Sequence, residues 1–273
     1  MIPVGEPVHQ RESDFHDQWA SATDIHSIDV RAAFESPAAL ENRFILDLLG
    51  PLSGRKIVDI GAGLGESSVY FALHGAAVTC TDLSAGMVSA AQHLAELHGV
   101  RIEAVISPAE RLLLPSNSFD IAYVANTLHH VSDRRALLEE IKRVLKPGGI
   151  FVSMDPLIYN PVIGIYRRMA TQVRTQDEMP VSFRDLRLAK QYFSDVGHRE
   201  FWILSLALFL KYYAIDRIHP NDDRYWKRIY RETAGSLFWW KPLRWLDAGL
   251  TRLPPVRRLA WNMVMWGRKA TVP

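Results

Sequence analysis

The residues best suited to chemistry are a glycine-rich turn and two carboxylates in the first third of the chain. Residues 57–65 read IVDIGAGLG, so an apolar run carries Asp59 and continues into three alternating glycines. Glycine lets the backbone approach a ligand closely because it has no side chain. A second apolar run, residues 77–81, ends in Asp82, about 20 residues after the turn, where dinucleotide-type folds place a carboxylate for ribose hydroxyls. The pattern predicts a site for a cofactor that contains adenosine.

The spacing of the glycines separates two classes of cofactor. A nicotinamide fingerprint reads G-x-G-x-x-G, whereas residues 61–65 read G-x-G-x-G and are followed by Glu66. A helix N-terminus attracts anions, and a glutamate at that point would repel a bound phosphate. A cofactor without a phosphate fits better, which favours S-adenosylmethionine. A nicotinamide-dependent oxidoreductase is the main alternative.

The composition is typical of a globular protein. The 273 residues are 48% apolar and 23% charged, which is enough for one large α/β domain with an added lobe. A single cysteine, Cys80, excludes an internal disulfide and suits a reducing compartment. We expect no signal peptide, and the longest apolar run, 201–210, is too short to span a bilayer. These features predict a cytoplasmic protein.

Short apolar runs alternate with helical stretches from residue 55 onward, which is typical of a doubly wound parallel sheet. Strands are predicted at 55–60, 77–82, 101–106, 119–125, 149–155, 201–210 and about 259–267. Helices are predicted at 65–74, from the N-cap Ser84 to about residue 99, after an N-cap at Ser132 or Asp133, and at about 182–195. Residues 156–181 are predicted to be irregular because they contain three prolines and a charged stretch.

Six segments, in order along the chain, resemble the class I S-adenosylmethionine-dependent methyltransferases, and most closely the group that contains the ubiquinone and menaquinone biosynthesis enzymes. They are VDIGAGLG at 58–65, TDLS at 81–84, AERL at 109–112, NSFD at 117–120, NTLHH at 126–130 and LKPGG at 145–149. The resemblance covers residues 55–155. It implies an α/β fold with a doubly wound, seven-stranded, Rossmann-like sheet whose last strand is antiparallel, and S-adenosyl-L-methionine as the cofactor.

Four regions are expected on this basis. They are an N-terminal helical lid at 1–50, an S-adenosylmethionine-binding core at 51–210, a helical insertion rich in tryptophan and arginine at 211–258, and the final strand of the sheet with a tail at 259–273.

Carried over residue by residue, the resemblance assigns the cofactor site. Asp59 and the backbone of the glycine turn would hold the methionyl part, Asp82 would bind the ribose hydroxyls, and apolar residues after it would pack near the adenine. The candidates are Asp59, Gly61, Gly63, Gly65, Asp82, Leu83, Met87, Ala109, Glu110 and Asn126. One departure lies at Pro108, where relatives usually have an aspartate for the adenine amino group. Glu110 or a backbone carbonyl would serve instead.

Two adjacent histidines are the candidate catalytic residues. Methyl transfer from a sulfonium mainly needs the donor and acceptor to be aligned, but a hydroxyl acceptor gains from a nearby base, and histidine has a suitable pKa range. His129 and His130 follow the fourth strand at the carboxyl edge, where open α/β sheets bind ligands. Both cannot point the same way, so either is a candidate base and the other is expected to pack or to cap a helix.

Two segments are expected to contact the acceptor. Residues 14–19 of the lid mix aromatic, acidic and imidazole groups, and residues 155–161 leave the fifth strand at the ligand-binding edge. The candidates are His16, Trp19, Asp155, Tyr159 and Asn160. A surface helix and a purely structural loop are the respective alternatives. Because no Cys/His cluster has zinc-ligand spacing, no metal is predicted.

The end of the chain differs in charge from the rest. Residues 201–273 carry 13 basic and 5 acidic side chains and seven of the eight tryptophans, whereas residues 1–200 carry 19 basic and 25 acidic side chains. This end either lines an acceptor pocket or contacts an anionic membrane surface, and these two interpretations are compatible. Nucleic acid is the least favoured partner because no RNA-binding module is visible.

The sequence therefore predicts a methyltransferase that acts on a small, lipophilic or lipid-linked acceptor, with O-methylation favoured over C-methylation. A non-catalytic, membrane-associated module that retains the fold is a further alternative.

Overall fold

Seven strands form one sheet in the computed structural model of the chain, which describes residues 8–175, 177–232 and 235–271. The strands are β1 (Lys56–Ile60), β2 (Ala77–Asp82), β3 (Glu103–Ile106), β4 (Phe119–Ala125), β5 (Leu145–Pro156), β6 (Ser194–Phe201) and β7 (Asn262–Arg268). Their order is β3-β2-β1-β4-β5-β7-β6. The first five pair in parallel, and β7 runs antiparallel between β5 and β6. The predicted doubly wound sheet with an antiparallel last strand is confirmed.

Helices cover both faces of the sheet. They are α1 (Val8–Ala22), α2 (Ala32–Glu35), α3 (Leu40–Leu49), α4 (Glu66–Leu73), α5 (Ala85–Leu97), α6 (Arg134–Val144), α7 (Pro161–Met169), α8 (Phe183–Ala189), α9 (Ala207–Leu210), α10 (Tyr225–Arg228) and α11 (Lys241–Leu250). Neighbouring residues of a strand point to opposite faces, and Ile57 and Val58 accordingly belong to two different apolar cores.

Two predicted helix N-caps are confirmed. The Ser84 hydroxyl accepts a hydrogen bond from the Met87 amide at 3.0 Å and starts α5. The Asp133 carboxylate accepts from the amides of Arg135 and Ala136 and starts α6. Such caps satisfy amides that have no partner inside the helix.

The prediction of a strand at 201–210 is wrong, because the sixth strand lies one segment earlier. β6 is a polar edge strand that pairs only with β7, and most of its residues remain in contact with solvent. An edge strand needs no continuous apolar run, so its sequence carries a weak strand signal. The apolar run that follows forms short helical turns instead. The Asp247 carboxylate accepts hydrogen bonds from the amides of residues 203–205, which fixes the first of these turns.

The prediction that residues 156–181 are wholly irregular is also wrong. Pro161 occupies the first turn of α7, and the Asn160 side chain caps that helix by accepting from the amides of Val162 and Ile163. Proline is tolerated in a first helical turn, where its missing N–H would have no helical partner. The prolines of this segment predict irregular structure, but Pro161 lies at the start of a helix.

Buried tryptophans build the lobe that follows β6. The ring centroid of Trp202 lies 5.2 Å from that of Trp240 and 5.8 Å from that of Trp261. The Trp240 indole N–H donates to the Ser205 carbonyl at 2.9 Å. The aromatic side chains of the lobe are therefore continuous with one of the two apolar cores of the sheet.

The four predicted regions remain a prediction, and residues 1–7 and 272–273 of the first and last regions lie outside the described residues. Across the parts of the chain that the structure describes, no helix combines the length and the apolar character needed to cross a bilayer.

Candidate active site

A cavity of about 680 Å³ lies at the carboxyl ends of the parallel strands, where open α/β sheets bind ligands. Its floor consists of the segments that follow β1, β2, β3 and β4, and its walls come from α1, α7 and residues 221–231. The predicted residues that line it are His16, Trp19, Asp59, Gly61, Gly63, Asp82, Leu83, Ala109, Glu110, Asn126, His129 and His130. The structure therefore brings these predicted residues together around one cavity.

The glycine turn is shaped by its neighbours as well as by its own flexibility. Gly61 has a φ of +69°, and a Cβ at this position would lie 2.3 Å from the Thr127 hydroxyl oxygen. Gly63 has a φ of +55° and nothing within 4 Å of a Cβ position, and its half-buried backbone lines the cavity. The Asp82 carboxylate accepts from the Gly63 amide at 2.9 Å and from the Ser84 amide at 3.0 Å. Asp82 thus connects the turn after β1 to the start of α5.

Asp59 lies beneath this turn. It is 2% exposed and accepts a hydrogen bond from the Ser68 hydroxyl at 2.7 Å. Burial raises the pKa of Asp59 to about 7, although the Ser68 hydrogen bond opposes the shift, and the nearby Asp82 and Glu66 charges add to it. Asp59, Asp82 and Glu66 lie close together, and a cationic cofactor bound beside them would favour the ionised form of Asp59.

Two of the predicted cofactor residues pack within the protein instead. A Cβ on Gly65 would lie 2.6 Å from the Ala91 side chain, so this glycine allows α4 to approach α5. Met87 is fully buried and packs with Leu64 and Ala20. Neither residue lines the cavity. Gly65 and Met87 belong to motifs in which some residues contact the ligand and others pack inside the protein. The sequence alone does not show which residues have which role.

The lid helix α1 is fixed to the core beside the cofactor side of the cavity. The Asp17 carboxylate accepts from the Ser84 hydroxyl at 2.5 Å and from the Gly86 amide at 2.8 Å. Trp19 projects from α1 into the cavity and meets Trp226 edge-on with 6.0 Å between ring centroids. The Arg224 guanidinium lies 4.0 Å above the Trp19 ring. Helix α1 and residues 224–226 of the C-terminal lobe therefore meet beside the cavity.

A further contact joins the lobe to the start of α4. The Lys227 ammonium lies 2.5 Å from the Glu66 carboxylate. The glutamate that argues against a bound phosphate thus holds a lysine from a segment 161 positions later.

The two adjacent histidines have different surroundings. The Asp155 oxygen Oδ1 accepts from the His129 amide at 3.2 Å and lies 2.8 Å from His129 Nδ1. This arrangement assigns the ring proton to Nδ1 and leaves Nε2 as an acceptor. Burial, together with the neighbouring His130, lowers the pKa of His129 well below its usual value, so its imidazole is neutral. Burial also raises the pKa of Asp155 to about 8.

His130 instead faces α1. Its Nδ1 atom lies 3.0 Å from Oε2 of Glu12, and Nε2 of His16 lies 3.5 Å from the same oxygen. Burial opposes the charged forms, but the attraction between the two groups raises the pKa of His130 and lowers that of Glu12. The sequence did not indicate Glu12. The spacing of Glu12 and His16, one helical turn apart, was the available signal.

The sequence also missed an arginine–carboxylate cluster beside the histidines. The Oε2 atom of Glu178 lies 2.9 Å from an Arg167 nitrogen and 3.0 Å from an Arg174 nitrogen, and all three residues line the cavity. No motif connects them, because α7 and the segment after it had been interpreted as irregular.

Three predicted acceptor residues have structural roles. Asp155 lies under His129 and does not line the cavity. Tyr159 stacks on Phe183, with 5.9 Å between ring centroids, on the outside of the protein. Asn160 caps α7 and also donates to the Leu259 carbonyl. The chain turns away from the cavity after β5, which places Tyr159 and Asn160 behind its wall.

Comparison with known proteins agrees with the sheet and the motifs. A family described as a methyltransferase domain matches residues 58–153. A demethylmenaquinone methyltransferase of Paenarthrobacter aurescens is 32% identical over 130 residues, which cover 48% of this chain and 49% of that protein. A phosphoethanolamine N-methyltransferase of Arabidopsis thaliana is 31% identical over 139 residues, which cover 49% of this chain and 28% of that protein.

One solved structure extends the likeness to the whole fold. A phosphoethanolamine N-methyltransferase of Haemonchus contortus, in complex with S-adenosylhomocysteine, superposes with a TM-score of 0.62 at 19% identity, covering 99% of this chain and 62% of that chain. This chain spans about half the length, or less, of the curated relatives named above. The matches, the motifs and the fold identify residues 58–153 as a methyltransferase domain of the class I S-adenosylmethionine-dependent kind, which resembles the ubiquinone and menaquinone biosynthesis group.

Proposed function

We propose that this protein transfers the methyl group of S-adenosylmethionine to a hydroxyl group of a small, lipophilic acceptor. The observation that carries the proposal is a single cavity with the glycine turn and Asp82 on one side and His129 and His130 on the other. A carbon acceptor is the alternative to test against, because a relative from Hahella chejuensis is named a ubiquinone/menaquinone biosynthesis C-methyltransferase.

The cofactor site rests on the residues around the glycine turn. Asp82 would accept hydrogen bonds from the ribose hydroxyls, because its carboxylate lines the cavity beside the glycine turn. Asp59 and the backbone of Gly63 line the part of the cavity where the methionyl group would bind. Leu83, Ala109 and Asn126 surround the adenosine, and Glu110 replaces the acceptor that Pro108 lacks.

The reaction is an in-line displacement at the methyl carbon. A bond forms between the acceptor oxygen and the methyl carbon while the bond from that carbon to sulfur breaks, which yields S-adenosylhomocysteine and the methyl ether. The acceptor proton passes to Nε2 of His129. Asp155 supports this step because it fixes the ring and its tautomer through Nδ1. His130 lies beside this ring, with 4.2 Å between the centroids.

The apolar acceptor is inferred from the walls of the cavity. Trp19, Trp226 and Trp261 line it together with Tyr166 and Tyr230. Charged side chains, among them Arg167, Arg174 and Arg224, line the same cavity. The aromatic rings favour an acceptor with an apolar part, and the charged groups favour one that also carries a polar group.

We infer further that the protein contacts anionic membranes through its C-terminal lobe. Large apolar side chains are exposed there, with Trp245 76% and Phe238 73% exposed. We call the exposed apolar and basic residues of this segment the basic apolar surface: Phe238, Lys241, Trp245, Leu246, Arg252, Leu253, Arg258 and Leu259. Basic groups interleaved with exposed tryptophan and leucine favour the boundary between lipid headgroups and acyl chains. Such contact would bring the enzyme to a lipophilic acceptor.

Isothermal titration separates the proposed cofactor from its alternative. We expect S-adenosylhomocysteine to bind and NADH not to bind, and Asp82→Ala to weaken S-adenosylhomocysteine at least tenfold. Glu96→Ala, on the exposed face of α5, serves as the control. Binding of NADH in preference to S-adenosylhomocysteine would contradict the proposal.

Turnover is tested with labelled S-adenosylmethionine and a panel of alkylated phenols, hydroquinones and amines. We expect labelled methyl ether from a hydroxyl acceptor. A product labelled on carbon would overturn the choice of oxygen, and cofactor binding without turnover of any acceptor would support a non-catalytic module.

A further inference from the structure

Three potential metal ligands converge where α1 crosses the end of β4. The ligand atoms of Glu12, His16 and His130 all lie within 4.8 Å of one another. Oε2 of Glu12 lies 3.0 Å from His130 Nδ1 and 3.5 Å from His16 Nε2. Two ligands bound to one metal at about 2.0–2.2 Å from it lie roughly 3–4 Å apart. The two distances from Glu12 to the histidines therefore match one shared ion.

The two closest atoms are not satisfied by each other. Oε2 of Glu12 and Nδ1 of His130 are buried, and neither has a hydrogen-bond partner among the described residues, although they lie within ion-pair distance. Their separation is short enough for a hydrogen bond, so the alignment is what fails. Buried polar atoms are rarely left without a partner. A third atom that both could face would satisfy them.

The carboxylate is fixed by a second contact. The Thr175 hydroxyl donates to Oε1 of Glu12 at 2.5 Å, and Glu12 is 5% exposed. Hydrogen bonds of this kind orient ligands in metal sites. Glu12 thus has one oxygen held by the protein and the other directed toward the two imidazoles.

A second group of potential metal ligands lies nearby, and its surrounding charges are less favourable for a cation. His129, His130 and Glu178 also place ligand atoms within 4.8 Å. The Glu178 oxygen Oε2, however, already contacts both Arg167 and Arg174, whose charges would repel a cation. Among the described residues, the polar side-chain contacts of Glu12 are to the two histidines and to Thr175.

We propose that Glu12, His16 and His130 bind one divalent transition-metal ion. Two imidazoles and a carboxylate suit zinc, iron(II), manganese(II) or cobalt(II) better than magnesium or calcium, which prefer oxygen ligands. His16 and His130 line the cavity, so the remaining coordination positions face it. One part of this inference rests on the proposed function: the metal would lie beside the acceptor hydroxyl and lower the pKa of that group, and His129 would accept the proton.

The prediction of no metal was made from spacing along the chain. His130 is 114 positions from His16, so no spacing rule connects them, and only the folded chain brings them together.

Metal binding is measured on the full chain without reference to turnover. The protein is stripped with a chelator and titrated with ZnCl₂, MnCl₂ and CoCl₂, and bound metal is counted by mass spectrometry after gel filtration. We expect one ion per chain and, for cobalt, visible absorption bands typical of imidazole ligands. Glu12→Gln and His16→Asn should each weaken binding at least tenfold. His93→Asn, which removes an exposed histidine on α5 that faces Glu96, should leave it unchanged.

Thr175→Val provides an independent test because it leaves all three ligands in place. We expect it to weaken the metal about 10-fold to 100-fold, as for other residues that orient a ligand. S-adenosylhomocysteine affinity should stay within threefold of wild type in every variant, which shows that the cofactor site is folded and separates this proposal from the proposed function. Absence of stoichiometric metal in the wild type, or equal binding by wild type and Glu12→Gln, would overturn the proposal and leave Glu12 and His130 as an ion pair.

Discussion

The cofactor side and the acceptor side of the cavity are built in different ways. Backbone atoms shape the cofactor side: the turn at Gly61 and Gly63, held by Asp82, comes from residues close together in the chain. Side chains shape the acceptor side, where α1 and residues 221–231 meet from opposite ends of the chain. Backbone geometry leaves a pattern in the sequence because few residues can adopt it. Side-chain walls leave little pattern, since many combinations of residues enclose a similar space.

The largest expected effect tests whether the acceptor side and the cofactor side are stabilised independently of each other. Trp202→Ala removes a fully buried indole from the centre of the lobe. We expect a loss of about 3–5 kcal/mol in the free energy of unfolding, measured by urea denaturation. If the two sides are separate, S-adenosylhomocysteine affinity under native conditions stays within threefold of wild type. A loss of cofactor binding by folded Trp202→Ala would show that the lobe also supports the glycine turn.

Two glycine variants compare positions within the cofactor side. Gly61→Ala combines a positive φ with a clash against Thr127, and we expect it to destabilise the protein by about 2–4 kcal/mol. Gly63→Ala has the φ penalty without the clash, so a loss of about 1–2 kcal/mol is expected. Thermal and urea unfolding measure both. Gly164→Ala, in α7 and with open space around it, is the control. Equal losses at Gly61 and Gly63 would contradict the role of Thr127.

A third prediction concerns pH. The folded protein keeps the proton of Asp59 up to about pH 7, whereas an unfolded chain loses it near pH 4. The folded state therefore binds more protons between these values, and the free energy of unfolding falls as the pH rises through that window. Asp59→Asn should flatten this part of the urea-derived stability profile, since an amide oxygen can still accept from Ser68.

Asp120→Asn is the matched control for this profile. Partial burial alone would raise the pKa of Asp120, but Lys146 and a backbone amide lower it, so its contribution is lost only in acid. Its substitution should change the profile below about pH 4 and leave the neutral region alone. If Asp59→Asn retains the full neutral slope, Asp59 is ionised in the folded protein.

The smallest expected effect on stability lies at the basic apolar surface. Replacing Trp245 and Leu246 by serine should change the free energy of unfolding by less than about 0.5 kcal/mol per site, because both side chains are already exposed. Co-sedimentation with phosphatidylcholine vesicles containing phosphatidylserine should nevertheless drop. Leu97→Ser, at a 43% exposed leucine on α5, serves as the control. Unchanged sedimentation of the double variant would remove the membrane contact from the proposed function.

The sequence predicted the sheet well where strands are buried and poorly at its edge. β1, β2 and β4 are apolar runs followed by turns, and their predicted bounds lie within one residue of those observed. β6 is polar because it pairs on one side only, and the apolar run beside it was assigned in its place. Burial of an edge strand depends on its neighbours, which the local sequence does not contain.

The positions of the site residues were also predicted well in some places and poorly in others. Asp59, Asp82 and the two histidines lie next to the ends of strands, so topology alone placed them at one edge. Tyr159 and Asn160 occupy an equivalent position after β5, but the start of α7 turns them away from the cavity. Whether a residue after a strand faces a ligand depends on where the following helix packs.

By itself, the sequence determined a doubly wound sheet, the glycine turn with Asp82, and a cofactor without a phosphate at that turn. These features follow from local rules: apolar periodicity, backbone freedom at glycine, and the repulsion between Glu66 and an anion. The tertiary structure alone decided that Glu12 and His16 meet His130, that Asp155 supports His129, and that Glu66 pairs with Lys227. Those contacts join positions up to 161 residues apart, and the packing of α1 and the C-terminal lobe against the sheet edge brings them together.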